Sequence, residues 1–425
     1  MNSRRYIPRI ADERLAFLLS SCGAVHIKGP KWCGKSTTAE KQSKSVVYLQ
    51  DPSNNNQNIA LARNAPRLFL KGETPRLIDE WQVVPTIWDS VRFEIDQRGD
   101  HGQFILTGSS VPPEDSDIKH SGAGRIVPMV MRTMSLFESG DSSGSISIAK
   151  LFDGSSQDAT ESKLDLEDYS YLICRGGWPA AVVEPNKNIS LQQSKNYYSV
   201  LVDEDIQRLG KIKRNGVKIK SVLRSYARNT ASSASFNTIR NDILEHSEST
   251  VDRDTIARYI EDLERLYVVE ELPAWCPNLR SKTAVSSSNT RHFIDPSIGC
   301  AALDISPPDL ISDLNTMGLF FESMAVRDLR VYSEILGGHV FHYRDSSGLE
   351  ADAVIKLDNG KWAAVEMKLC DSERIEEGAN NLLKLKDSVD TKLGPPAFLM
   401  VLTATRYAYQ RPDGVWIVPL GCLGP

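Results

Sequence analysis

Four short apolar runs pace the first part of the chain, and each ends in a polar or glycine-rich turn: Ala24–Ile27, Ser45–Leu49, Pro75–Glu80 and Gly102–Ser110. Runs this short, bounded by turn residues, read as buried strands. Between them apolar residues recur at helical spacing. Ala11–Ser21 puts Leu15, Leu18 and Leu19 on one face, and Pro85–Asp96 does the same with Ile87, Val91 and Ile95. Ile59–Leu70 reads as a helix interrupted at Pro66, after a polar loop from Asp51 to Asn58. Strands alternating with helices predict an α/β fold, a parallel sheet covered on both faces.

Two stretches rich in Ser, Asp and Gly, Ser139–Ser145 and Gly154–Lys163, flank the short apolar piece Ile146–Phe152 and predict the end of a first domain, residues 1–165. Tyr169–Cys174 reads as a helix stopped by Arg175-Gly176-Gly177-Trp178-Pro179, a sharp turn whose role the chemistry of the residues does not declare. Leu191–Leu209 reads as a helix, with Asp203, Glu204 and Asp205 as a solvated face. Helical patterns then cover Val217–Thr230, Thr238–Glu245 and Thr250–Leu266, followed by the strand-like Tyr267–Leu272. Three helices and a β-ribbon suggest a helical, winged-helix-like middle region over residues 166–290. Past it, a helix around Phe321 and strands at His339–Arg344, Glu350–Ile355 and Trp362–Lys368 predict a second α/β core, residues 291–425. Asp358-Asn359-Gly360 is a strong hairpin signal between the last two strands. The helix Ile375–Asp387 and strands Ala397–Thr403 and Gly414–Pro419 complete it.

Composition narrows the picture. The chain has 425 residues, 41% hydrophobic and 25% charged, the profile of a globular protein of two or three domains. A formal net charge of −5 provides no global field for nucleic acid, so any such contact must be local. The most basic run is Lys211–Lys220. The helix Val251–Leu266 carries five acids against three arginines, the wrong sign for a phosphate groove. Seven cysteines without a C-x-x-C pair argue against a disulfide framework or zinc ribbon and for a reducing, cytoplasmic setting. The basic N-terminus has its apolar run broken by charges, unlike a signal peptide, and no apolar run suits a membrane span.

Candidate chemistry begins right after the first strand. Gly29, Pro30, Lys31, Trp32, Cys33, Gly34, Lys35, Ser36 and Thr37 form G-x-x-x-x-G-K-S between a strand and a helix start, the setting a phosphate-binding loop requires. Gly29 and Gly34 permit backbone conformations that aim N–H groups at phosphate. Lys35 reaches the β- and γ-phosphates, and Ser36 offers a hydroxyl to Mg²⁺. About 45 residues on, a strand ends in Asp79 and Glu80, the pair needed for the Mg²⁺ shell and for polarising the attacking water. Thr107 and Ser109 end the next strand as candidate γ-phosphate sensors, with a plain serine-rich turn as the alternative. Arg125 follows a flexible segment, either as a phosphate contact in its own or a neighbouring subunit or as an ordinary surface arginine. ATP is expected rather than GTP, because no guanine-reading N-K-x-D is present.

A second constellation lies near the C-terminus. Glu366 and Lys368 share one strand face, Asp352 stands on the strand before the hairpin, and Glu322 lies on the preceding helix. Asp-(x)n-Glu-x-Lys is the arrangement of metal-dependent phosphodiesterases. Asp352, Glu366 and Glu322 are expected to grip Mg²⁺ or Mn²⁺ and activate a water, with Glu350 a weaker candidate. Lys368 is expected to orient that water or stabilise developing charge.

Together, GPKWCGKST, RLIDEWQ, ILTGSS, GAGR, RGGWPAA, HFIDPS, FESMAVRDLR, YRDSSGLEADAVI and AVEMKL resemble a prokaryotic family of AAA-type ATPases. The resemblance covers nearly the whole chain. It implies an N-terminal P-loop ATPase joined to a winged helix and a PD-(D/E)xK nuclease-like domain. The chain departs from better-known AAA proteins in lacking a clear asparagine after the fourth strand and a plain second arginine sensor. Two functions are expected from these readings. One is an ATP-hydrolysing switch coupled to a metal-dependent nuclease-like domain. The other is an ATPase whose C-terminal domain binds nucleic acid, DNA or RNA, or a protein without cutting it. A homo-oligomer is a further expectation.

Overall fold

The computed structural model describes residues 6–108, 121–206, 216–247, 250–277, 288–389 and 394–425. The chain divides into two compact units, the first comprising residues through Thr133 together with Arg265–Tyr267, the second the remainder. No helix among the described residues is long and apolar enough to cross a membrane.

Strand alternation builds the first unit. In β1 (Ala24–Lys28), Ala24 joins an apolar cluster with Ile78, Phe104 and Leu106, while Val25 and Ile27 join a second with Leu77 and Ile105. A sheet buried on both faces needs apolar side chains at odd and even positions alike, which is why these runs are continuous rather than alternating. The strands β2 (Ser45–Tyr48), β3 (Arg76–Asp79), β4 (Phe104–Thr107) and β5 (Ile126–Val130) complete a parallel sheet in the order β2-β3-β4-β1-β5. Leu15, Leu18 and Leu19 of α1 (Ile10–Ser21) join the same cluster as Val25, and α2 (Lys35–Gln42) follows β1. The helices α3 (Asn55–Asn64), α4 (Pro66–Phe69) and α5 (Ile87–Arg98) follow, α5 burying the predicted Ile87, Val91 and Ile95. The polar loop expected up to Asn58 ends sooner, because α3 starts at Asn55. Only Ala62 of that helix is fully buried, so an asparagine-rich first turn can face water.

The second unit begins at Met134, ahead of the boundary expected at residue 165. The region read as a domain boundary, Ser139–Ser145 with the apolar piece Ile146–Phe152, is packed structure. Its hydroxyls satisfy backbone groups from the end of the chain: Ser142 Oγ donates to the Leu423 carbonyl at 2.6 Å and Ser147 Oγ to that of Pro425 at 2.6 Å. Accordingly β6 (Ile146–Ser147) pairs with β14 (Leu423–Gly424), and β7 (Thr160–Glu161) pairs with β12 (Tyr407–Gln410) at the edge of the C-terminal sheet. That sheet runs β7-β12-β13-β11-β10-β9-β8. Its antiparallel part is β8 (Gly338–Arg344), β9 (Glu350–Leu357) and β10 (Trp362–Lys368); β11 (Leu399–Thr403) and β13 (Trp416–Pro419) run parallel to β10.

The helices of this unit are α6 (Leu166–Arg175), α7 (Lys187–Val200), α8 (Gly216–Arg228), α9 (Phe236–His246), α10 (Arg253–Arg265), α11 (Pro296–Leu303), α12 (Leu314–Ile335) and α13 (Ser372–Ser388), with shorter turns between. The strand expected over Tyr267–Leu272 reduces to two isolated antiparallel bridges, Val269 with Phe293 and Leu272 with Thr290. Of the basic run, Lys211, Lys213 and Arg214 lie outside the described residues. Lys220 on α8 pairs with Asp203 at 3.5 Å, so this cation is partly neutralised.

The glycine turn Arg175–Pro179 finds its role inside this unit. Asp295 and Asp328 are fully buried and Arg327 is 2% exposed. Arg327 Nη1 lies 3.1 Å from Asp295 Oδ2, and its Nε donates to Asp328 Oδ1 at 2.9 Å. Further donors to the two carboxylates include Gly177 N–H to Asp295 at 2.8 Å, Ser297 N–H and Oγ to Asp295 at 3.0 and 2.6 Å, and Leu136 N–H and Tyr332 Oη to Asp328 at 3.0 and 3.4 Å. Trp178 Nε1 then donates to Ser297 Oγ at 3.0 Å. The approach is too close for side chains. A Cβ on Gly176 would stand 2.3 Å from Asp295 Oδ1, and one on Gly177 would stand 2.0 Å from the Met134 carbonyl oxygen.

Removing one carboxylate from this cluster strands a buried guanidinium. Asp295→Ala should therefore destabilise the second unit by about 3–5 kcal/mol. The exposed pair Lys195–Asp304, at 3.4 Å, should yield under about 1 kcal/mol when Lys195 is truncated. Urea unfolding of both variants checks the contrast, and similar losses would contradict it.

Candidate active sites

The first site stands where β1 runs into α2. The turn needs left-handed backbone at Gly29 (φ 146°), Trp32 (φ 63°) and Gly34 (φ 104°). Gly29 has a second reason to lack a side chain, since a Cβ would lie 2.1 Å from the Met131 carbonyl oxygen. Gly34 precedes Lys35 without a side-chain cap, so α2 begins with N–H groups directed at the site, as an anion requires. Cys33 is buried and points away from that opening, its thiol donating to the Met131 carbonyl at 3.4 Å. Trp32 and Thr37 are exposed on the loop, with Pro30 buried and Lys31 half-buried.

Lys35 is buried, and its ammonium donates to the carbonyls of Gly29 at 3.0 Å and Pro30 at 2.7 Å. The cation is thus held at the mouth of the loop. Ser36 Oγ donates to Asp79 Oδ1 at 2.7 Å, and Thr107 Oγ1 donates to the same oxygen. The strand register explains the meeting, because Asp79 lies directly opposite Thr107 at the ends of β3 and β4. A hydroxyl beside a carboxylate is a set of hard oxygen donors, the kind that suits Mg²⁺. Ser109, the alternative sensor, lies outside the described residues.

Glu80 takes a left-handed conformation (φ 55°, ψ 47°) just past the strand, and the Gln82 amide donates to its carboxylate. Burial pushes the Glu80 carboxyl up. The Gln82 bond and the ammonium groups of Lys35 and Lys31 act against that, and the Asp79 charge adds to it. The turn is pinned from below: Trp81 Nε1 donates to His26 Nε2 at 2.9 Å, and the His26 ring meets Trp81 and Trp88 edge-on. Burial drives His26 down to about 3, so the imidazole is neutral and free to accept.

Arg125 does not join this group. It precedes β5, whose Ile126 pairs with Ala24 at the start of β1, whereas the phosphate loop leaves the other end of β1 after Lys28. Four residues of strand separate the two ends, about 13 Å. Arg125 instead pairs with Asp96 at 2.8 Å. Within one chain it stands by the far end of β1 from the phosphate loop, in an ordinary surface ion pair.

Sequence reading missed Arg9. This buried guanidinium donates to the carbonyls of Cys33 at 2.8 Å and Arg132 at 2.9 Å, fastening the loop from outside. An arginine just before an amphipathic helix carries no signal of that. His26, read as part of a strand, was missed because only the fold brings Trp81 to it, and Gln82 because a glutamine two residues after an acid carries no signal of its bond to Glu80.

The second site lies on β9, β10 and α12. Met367 N–H donates to Asp352 Oδ2 at 2.7 Å across the antiparallel pair. The Lys368 ammonium lies 2.6 Å from Glu366 Oε2 and 3.5 Å from Asp352 Oδ2. Glu366 is buried, and its second oxygen, Oε1, has no hydrogen-bond partner. Burial and then the Asp352 charge push Glu366 well above the usual carboxylate range. Glu322 is raised by burial, by Asp352 and by Glu366, which places it in the same electrostatic cluster. Burial disfavours the Lys368 charge, but Asp352 and Glu366 outweigh it and raise the pKa. Glu350 is exposed and near Arg344, at 3.8 Å.

Glu322, Asp352, Glu366 and Lys368 are therefore brought into one cluster as expected. Yet no three His, Cys, Asp or Glu residues among the described ones converge closely enough to hold an ion as they stand. The Lys368 ammonium bridges the two strand carboxylates where a divalent cation would bind. The unsatisfied Glu366 oxygen and the all-oxygen donor set fit Mg²⁺ or Mn²⁺ once that ammonium turns aside.

Comparison with known proteins divides the chain in three. Residues 22–139 match the family described as an AAA domain (AAA_14). Residues 166–309 and 317–423 match two domains of unknown function, DUF8612 and DUF4143. No curated protein matches the chain. Among solved structures, a Walker-type ATPase of Pyrococcus abyssi aligns with a TM-score of 0.44 and 12% identity, over 71% of this chain and 97% of that one. A DNA replication initiation factor aligns with a TM-score of 0.24 and 13% identity, over 60% of this chain and 87% of that one. Residues 22–139 thus resemble an AAA domain, and the segments that follow resemble domains of unknown function.

Proposed function

We propose that the protein binds and hydrolyses ATP at the Gly29–Thr37 loop, and that its nucleotide state controls a metal-dependent, nuclease-like site built on Asp352, Glu366 and Lys368. The observation that carries the first half is the meeting of Lys35, Ser36, Asp79 and Thr107 at one end of a parallel sheet. The loop N–H groups and the start of α2 bind the phosphates. Lys35 exchanges its two loop carbonyls for β- and γ-phosphate oxygens, keeping its charge paired throughout. Ser36 and Asp79 would hold Mg²⁺, which supplies charge neutralisation of the phosphate oxygens. Thr107 reads the γ-phosphate through its bond to Asp79. Glu80, released from Gln82, orients the attacking water and accepts its proton.

The second half rests on the carboxylate–lysine cluster. Asp352 and Glu366, with Glu322, would hold Mg²⁺ or Mn²⁺, which supplies an activated water. Lys368, once displaced from between the carboxylates, stabilises charge developing on a phosphodiester. The three helices and the Val269–Phe293 and Leu272–Thr290 bridges support a winged-helix reading of the middle region. The bridging Lys368 also favours a second reading, in which this domain binds nucleic acid or a protein without cutting it.

Cleavage of single- and double-stranded DNA and RNA, with Mg²⁺ and with or without ATP, separates these readings. Lys35→Ala should lower ATP turnover by about 100-fold or more. Glu366→Ala should abolish cleavage while leaving ATP turnover intact. If the unaltered protein cleaves no more than Glu366→Ala, the nuclease half is wrong, and binding with intact substrate ends would establish the alternative.

The pH profile tests Glu80. A base must be ionised, and burial raises this carboxyl, so ATP turnover should fall on acidification with an apparent pKa above the ordinary value of about 4.3. Glu80→Gln should remove most activity along with that acid limb. An unshifted limb in the Gln variant would assign the titration elsewhere.

A further inference from the structure

Outside both sites, the second unit contains two thiols beside a cavity. Cys174, near the end of α6, and Cys300, on α11, are both free and buried, and the two helices that carry them pack together. Both line a cavity of about 180 Å³ whose other walls include Gln192, Lys195, Ser297 and Pro307. At roughly 30 Å³ per water this space admits several waters, or a small hydroperoxide with its hydration. Lys195 is partly solvent-exposed, so the cavity wall reaches the surface.

The placement makes the pair consequential. Cys174 stands just before Gly176 and Gly177, and Cys300 lies on the helix that begins after Asp295. Those are the two segments joined by the Gly177–Asp295 and Trp178–Ser297 hydrogen bonds. A covalent bond between the two sulfurs would fasten together the parts of the chain that keep the buried charges of Asp295 and Arg327 paired.

We propose that Cys174 and Cys300 form a modification site, oxidised by small hydroperoxides entering the cavity to a reversible disulfide that locks α6 to α11. The step balances. One thiol attacks the peroxide oxygen and the O–O bond breaks, giving a sulfenic acid and water from hydrogen peroxide, or the corresponding alcohol from an organic hydroperoxide. The second thiol then displaces hydroxide from that sulfur, and with its proton a water leaves. Two thiols are oxidised and one hydroperoxide is reduced. Burial and the bond to Cys174 push the Cys300 thiol up, so Cys300 keeps its proton and donates it. That leaves Cys174 as the sulfur facing the peroxide first and Cys300 as the one that resolves it. The same burial makes the reaction slow, so the site responds to sustained rather than brief exposure.

The test uses the full chain, treated with hydrogen peroxide, alkylated and mapped by mass spectrometry without reduction. The expected product is a cross-linked peptide joining Cys174 to Cys300, two hydrogens lighter than the reduced pair and reversed by dithiothreitol. The melting temperature should rise by about 5 °C or more, because the bridge closes a long loop. Cys174→Ser and Cys300→Ser should each lose both the cross-link and the shift. Because the mapping is done on the unaltered protein, a variant that fails to fold leaves the result intact. Oxidation confined to the exposed Cys370, or both thiols alkylated in full after unfolding of the treated protein, would overturn the proposal.

Discussion

Asp295 is a fully buried carboxylate, and much of the second unit is arranged to keep it paired. Its partners come from segments far apart in sequence: Gly177, Ser297 and Arg327. Arg327 in turn draws in Asp328, and Asp328 draws in the backbone at Leu136. A buried ion left without its partner costs far more than any single apolar contact returns. That asymmetry makes the assembly close to all-or-none, and it explains the two glycines at 176 and 177. Gly176 lies too close to Asp295, and Gly177 too close to the Met134 carbonyl, for either to carry a side chain.

Asp79 has the corresponding place in the first unit. One of its oxygens accepts from both Ser36 and Thr107, so the loop helix and two strand ends are tied to one atom. Arg9 fastens the loop from the other side, and His26 with Trp81 fixes the turn that carries Glu80. The proposed chemistry depends on this stiffness: phosphate replaces carbonyls around Lys35, and a metal would enter beside an already oriented hydroxyl and carboxylate. In the second unit Lys368 occupies the corresponding position between two acids, which leaves that site neutralised until the ammonium moves.

The phosphate loop, the strand-end Asp79 and Glu80, and the Glu366-x-Lys368 strand were legible in the sequence because their meaning is local. A glycine pattern between strand and helix, or alternation along one strand, survives without knowledge of the fold. Thr107 was legible for the same reason. What failed was non-local. The region around Ser142 and Ser147 read as a domain boundary because serine, glycine and aspartate are common in turns, yet here the hydroxyls bond the end of the chain. Arg125 read either as a phosphate contact or as an ordinary surface arginine, because the flexible stretch before it leaves its surroundings open. Strand register places it at the opposite end of β1 from the loop. The Arg175–Pro179 turn was visible as a turn, but its partner Asp295 stands more than a hundred residues away in the chain, at a distance no periodicity reports.

Nucleotide at the Lys35 loop is proposed to set the state of the Asp352–Glu366–Lys368 site. Hydrogen–deuterium exchange of the full chain reads this directly, comparing amides of residues 350–368 with and without Mg²⁺ and a non-hydrolysable ATP analogue. Altered exchange there is expected in the unaltered protein, and no change in Lys35→Ala. Identical exchange at saturating nucleotide, with the loop amides of residues 29–37 protected, would show that ATP binds but does not control the second site.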